Sequence, residues 1–242
     1  ADFSGGFVRV MTKNIPDGNT FNVSYQMGFN TNATFRNFQL TDGTAKDYLG
    51  FGAGVRNLPS SFPAHLGEHS TDEAAAFTRQ INQRWGINKF TAIPDQKISL
   101  TSHRSYDVGG WKIGNITNLN WSTEYDYSET VNNNYIAYDV KNDVSRPRFE
   151  YNDIRYKNTS KLGALFNWSF QRDGSKYELR NFFSQRGVSA LTQREGMNYY
   201  SDKDIRKWES LYTGRTTYSG QISGVHTLRE NVNKVDWTAG YA

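Results

Sequence analysis

The chain has 242 residues, a formal charge of +4, 36% hydrophobic and 15% aromatic residues, and no cysteine. That length suits one large domain, the missing thiols exclude a disulfide framework and a thiolate metal site, and Lys and Arg scattered among Asp and Glu exclude the basic stripe of a nucleic-acid binder. Mean hydropathy is −0.75 and no run approaches the roughly 18 apolar residues of a transmembrane helix, a criterion that half-apolar barrel strands escape.

Taken in chain order, Ser4-Gly5-Gly6-Phe7-Val8-Arg9-Val10-Met11-Thr12-Lys13 reads as a short strand that stops at Asn14-Ile15-Pro16-Asp17-Gly18. The next strand covers about 19 to 35. Phe21, Val23, Tyr25, Met27 and Phe29 alternate there with Asn22, Ser24, Gln26, Gly28 and Asn30. A period of two with large hydrophobes on one face fits a soluble sandwich, with core on one side and water on the other. It fits equally a barrel wall between lipid and a wet or plugged lumen.

Residues 36–95 are rich in Gly, Asn, Pro and Ser and read as an irregular loop with one helix. Ser70-Thr71-Asp72-Glu73 has the spacing of a capping box, good helix formers run on to Trp85, and Gly86 is the expected stop. A second strand is predicted from Gln96 to Tyr106 and a third from Trp111 to Tyr127, joined by a tight turn at Asp107-Val108-Gly109-Gly110. Residues 128–147 read as a polar loop. The fourth strand runs from Phe149 to Phe170 and the fifth from Lys176 to Gln185, across the turn Arg172-Asp173-Gly174. A loop over 186–205 precedes a sixth strand from Trp208 to Leu228, and Val235 to Tyr241 begins a seventh. Long and short connections thus alternate, as in transmembrane barrels. Several strands exceed the roughly 9 to 11 residues that cross a bilayer, so their polar ends would protrude. Trp111, Phe170, Tyr177 and Trp237 stand beside the short turns, where barrels carry an aromatic girdle. The fold class expected is all-β: an antiparallel transmembrane barrel segment of about seven strands with long outer loops and one short helix.

The Gly5-Gly6 pair, the alternating strand and the Thr12-Lys13 end resemble the last plug strand of TonB-dependent outer-membrane receptors. Asn14-Ile15-Pro16-Asp17-Gly18, Asp47-Tyr48-Leu49-Gly50-Phe51 and Leu58-Pro59-Ser60-Ser61-Phe62-Pro63 look like the Bacteroidota branch of that family. The resemblance implies that residues 1–17 end a plug and 18–242 begin a barrel of roughly 22 strands. Gly5, Gly6, Thr12, Lys13 and Pro16 would form the plug–barrel junction. Seven is an odd number, and an open sheet in lipid leaves edge groups unpaired, so a segment of a larger polypeptide is expected. Ala1-Asp2-Phe3 does not open a signal peptide, and an exported chain would have that segment upstream or removed.

Candidate chemical motifs are few. His65-Leu66-Gly67-Glu68-His69 matches H-x-x-E-H, but zinc hydrolysis needs both histidines on one helix, and the helix start signal comes only at Ser70. Asp202-Lys203-Asp204 is similar to the start of a calcium loop without its glycine and glutamate; beyond a calcium ion in that outer loop, no cofactor is expected. Asn22-Val23-Ser24 and Asn167-Trp168-Ser169 span both faces of strands and are assigned no glycan. Trp85, Phe90 and Tyr135 are loop aromatics placed to touch a ligand or to pack loop on loop.

The resemblance implies a non-enzymatic transporter in the outer membrane of a Gram-negative bacterium. It would take up a nutrient such as an oligosaccharide, a peptide or a metal chelate. Its expected partners are outer-membrane lipid, a TonB-type energy-coupling protein acting through the plug, and a surface lipoprotein. The alternatives are a soluble β-sandwich for carbohydrate binding or adhesion, and a loop-borne metallohydrolase resting on His65, Glu68 and His69.

Overall fold

The computed structural model describes residues 15–16, 18–81, 86–228 and 233–242. Gly5, Gly6, Thr12, Lys13 and Trp85 lie outside them; Pro16 is buried. Nearly all regular structure is antiparallel β. One seven-stranded sheet runs in the order β1 (Thr20–Gly28), β4 (Asp95–Val108), β5 (Trp111–Asp139), β6 (Val144–Arg172), β7 (Ser175–Asn198), β8 (Lys203–Leu228) and β9 (Asn233–Tyr241). β2 (Asn37–Thr41) and β3 (Ile87–Thr91) form a separate ribbon. Among the described residues the large sheet is open, with β1 and β9 as its edges.

β1 ends at Gly28, short of the predicted 35. The Asn30 side chain accepts from Asn32 N–H at 3.0 Å, and its carbonyl accepts from Ala33 and Thr34 N–H. That Asx turn offers the backbone an alternative to the ladder. The expected irregular loop 36–95 is an insertion with structure of its own: β2 and β3, three short 3₁₀ turns (Ala45–Leu49, Gly52–Val55 and Leu66–Glu68) and α1 (Thr71–Arg79). The ribbon was hidden because its two five-residue strands pair across the whole insertion. The capping box forms as predicted: Glu73 N–H donates to Ser70 Oγ and Ser70 N–H donates to Glu73 Oε2 at 3.0 Å. The helix stops at Arg79, before the predicted Gly86.

The predicted loops 128–147 and 186–205 are mostly strand. β5 and β6 run 29 residues each, about 95 Å at about 3.3 Å per residue. β7 continues through 198, and only residues 199–202 turn. Polar residues on both faces erase the period-two signal in these ends, yet each strand still has a neighbour to pair with. Asp139 accepts from the N–H groups of Lys141 and Asn142 to make the 140–143 turn, and Asn198 does the same for Tyr200 and Ser201. Pro147, which has no N–H, sits opposite Tyr135 at a register shift, where a bulge tolerates it. At the other end the β4–β5 and β6–β7 turns are two residues long, and the third short connection, expected at 229–231, lies outside the described residues. Gly109 and Gly110 have φ of +57° and +78°, and Asp173-Gly174 repeats the pattern, as the hairpin turn matching strand twist requires.

Candidate functional site

Register places two different surfaces on the two faces of the sheet. On one face Val23, Leu100, Leu119, Ala164 and Phe183 follow one another across β1 to β7, with Phe21, Tyr25, Ile98, Trp121, Leu162 and Phe166 in adjacent rows. Val235, Trp237, Ala239 and Tyr241 continue this face on β9. Among the described residues no second sheet covers this face: on β1, Phe21, Val23, Tyr25 and Met27 are 56, 63, 56 and 53% exposed, and Trp121, Leu162 and Phe183 are half-buried. They form a band about eleven residues tall on β5 (Trp111 to Trp121) and about nine on β6 (Leu162 to Phe170), the length that crosses a bilayer at a tilt. At its lower border Trp111 and Tyr177 lie 6.2 Å apart, and Tyr177 meets His226 at 5.0 Å and Trp237 at 6.5 Å. Trp237 Nε1–H donates to His226 Nε2 at 3.0 Å. Three of the four aromatics predicted beside the short turns, Trp111, Tyr177 and Trp237, therefore form one cluster, while Phe170 stacks on Trp168 at 6.1 Å. Arg104 interrupts the band beside Ser102, Asn115 and Thr117.

The opposite face is polar. Asn118 donates to Thr101 at 2.8 Å and Asn120 to Asn118 at 3.1 Å. Lys161 pairs with Glu124 at 3.0 Å and Lys157 with Asp126 at 2.7 Å. Glu178 lies between Lys176 and Arg180, each at 2.6 Å. Further out, Arg194 grips Asp153 with two nitrogens at 2.7 and 2.6 Å, and that bond holds the carboxyl below its usual range.

Above the band, and over its upper margin at Trp121 and Phe183, the insertion lies on the apolar face and closes a small core. Phe38 is wholly buried between Phe90 at 5.6 Å, Tyr125 at 5.4 Å and Tyr156 at 5.2 Å. Burial pushes the Tyr125 phenol up to about 12. Arg56 holds Asp47 at 2.7 Å and covers the Tyr212 ring at 4.4 Å. Gly52 N–H donates to Tyr212 Oη at 2.8 Å, and Trp121 Nε1–H to the Tyr48 carbonyl at 2.6 Å. Phe51 stacks on Phe183 at 6.4 Å. Beneath the ribbon remains a cavity of about 310 Å³, bordered by Tyr48, Phe90, Tyr125, Asn158 and Ser189 among others.

Of the predicted ligand aromatics, Phe90 therefore lines a cavity. Tyr135 stands far out on β5, half exposed, and is not part of that lining. His65 and His69 flank a 3₁₀ turn, and His69 lies against Phe77 at 5.2 Å and Glu73 at 3.9 Å. That placement does not give two histidines on one helix face. Asp202 is in a turn at φ +47°, and among the described residues no group of three or more His, Asp or Glu could hold a metal ion. The motif Asp47 to Phe51 forms the first 3₁₀ turn and its cap. Sequence reasoning missed its partners Arg56, Gln185, Gly187 and Tyr212, which no local pattern connects to it.

No protein-family model, curated protein or solved structure matches this chain.

Proposed function

We propose that the sheet is a section of the wall of a β-barrel in the outer membrane of a Gram-negative bacterium, and that the barrel is a TonB-dependent transporter of a nutrient ligand. The observation that carries this reading is the exposed apolar band. Its height is that of a bilayer crossing, it runs across all seven strands, and it is backed by a polar face suited to a filled lumen. The clustered aromatics at the short-turn border occupy the place of an interfacial girdle. In hydrocarbon the edges of β1 and β9 require further strands, because each unpaired N–H or C=O costs several kcal/mol. The transport type rests on the resemblance of residues 4–13, 47–51 and 58–63. In that reading ligand binding releases the plug when an energy-coupling protein pulls on it, and the chain makes and breaks no bond in the ligand.

The chain has no cysteine, so single cysteines report cleanly. Val23→Cys and Leu179→Cys in outer-membrane vesicles should resist a membrane-impermeant maleimide and, once labelled with a membrane-permeant fluorophore, be quenched by nitroxide lipids, while Ser24→Cys and Ser184→Cys labelled in the same way should be shielded from the lipid quencher. Equal quenching of both sets would remove the membrane assignment.

A further inference from the structure

The cavity beneath the ribbon has the chemistry of a sugar site. Its floor is one cross-strand row on β5, β6 and β7: Tyr125 opposite Asn158, and Asn158 opposite Ser189. All three are at least nine-tenths buried. Asn158 uses its amide N–H groups on Thr123 Oγ1 at 3.0 Å and the Glu124 carbonyl at 3.1 Å. The Ser189 hydroxyl makes no side-chain hydrogen bond among the described residues and, unlike those of Ser160 and Ser169, is not sealed from solvent, so it is open to a polar group that enters the cavity in place of water. Phe90 and Tyr48 add rings that are 37 and 54% exposed. The one carboxylate at the border, Asp47, is already neutralised by Arg56. At roughly 30 Å³ per water, 310 Å³ holds about ten waters, room for one hexose with a few waters beside it. Apolar rings for a C–H face, a few neutral hydroxyl and amide groups, and no uncompensated charge fit a pyranose and disfavour an acid, an amine or a peptide.

We propose that this cavity binds a single neutral hexose unit, standing free at a glycan end or carried as the headgroup of a glycolipid. The floor residues share the face of the apolar band and not the polar face, so a sugar held here is off any route along the polar face. The site would anchor the protein to a surface glycan just above the band. This inference does not depend on the membrane reading, since the cavity is built from the insertion and the strand row beneath it.

The test uses the full-length protein purified in a detergent without a sugar headgroup, such as an amine oxide. Saturation-transfer NMR would measure methyl β-glucopyranoside, octyl β-glucopyranoside below its micelle concentration, and glucuronate. The neutral glycosides should bind saturably and glucuronate should not. Tyr48→Ala, which removes a half-exposed ring, should weaken binding about tenfold without lowering the unfolding temperature; Phe90→Ala should weaken it as much or more. Tighter binding of the octyl glycoside would identify a lipid-linked sugar, and equal binding a free glycan end. No saturable binding by the wild type, binding of glucuronate as tight as that of the neutral sugars, or indifference to Tyr48→Ala in a protein of unchanged stability would overturn the proposal.

Discussion

Single residues decide how the insertion is fastened. A Cβ built on Gly187 would stand 2.6 Å from Gly50 Cα and collide with the Tyr212 hydroxyl, so two backbones meet where no side chain fits. Gly187→Ala should cost roughly 1–3 kcal/mol of overpacking and loosen the 3₁₀ turns first; faster amide exchange at Gly52, whose N–H reaches Tyr212, would show it. The Asp153–Arg194 pair gives a pH dependence. Its carboxyl titrates below the unfolded value of about 3.9, so its contribution is complete above that value and disappears as pH falls through the depressed folded pKa. Asp153→Asn should be less stable than wild type at pH 7 by roughly 1 kcal/mol, the upper range for a pair whose guanidinium is 32% exposed. Thermal unfolding at pH 7 and near pH 2 should show the gap closing in acid.

At the scale of the element, β1 is the clearest sentence in the chain. Its alternation was legible because no described residue buries either face, and the pleat alone sorts the side chains. In a bilayer the two parities differ in consequence. Val23→Arg should cost about 2–4 kcal/mol near the midplane and Ser24→Arg far less; the heat-modifiable gel shift on folding into vesicles measures both. Arg104 is the exception on the apolar face and must run its charge toward the lower border. Arg104→Leu should therefore fold into vesicles at least as well as wild type, and a loss of folding would mean that Arg104 has a partner outside this chain. The outer ends of β5 to β8 were illegible for the opposite reason. With polar residues on both sides, their strand character comes from the ladder with the neighbour and leaves no mark in hydrophobic periodicity.

For the whole molecule, one sheet carries two surfaces, and the insertion converts the upper part of the apolar face into a core and a cavity. Gly28 and Asp95 are direct cross-strand partners, so the insertion leaves and re-enters the sheet at a single point. Replacing residues 29–94 with a tight Asn-Gly turn should leave vesicle insertion intact and abolish methyl glucoside binding. If vesicle insertion failed as well, the insertion would be part of the wall's own folding unit.

The alternation of residues, the glycine turns, the capping box and the number of strands in the large sheet were fixed by local rules, each acting over a few neighbouring residues, and could be read from the sequence. The ribbon of β2 and β3, the Asp47–Arg56 clamp over Tyr212, the length of the outer strands and the row beneath Phe90 depend on partners tens of residues away. Only the folded chain decided them, because pairing and close packing select among many distant candidates by shape, and no period in the sequence records that choice.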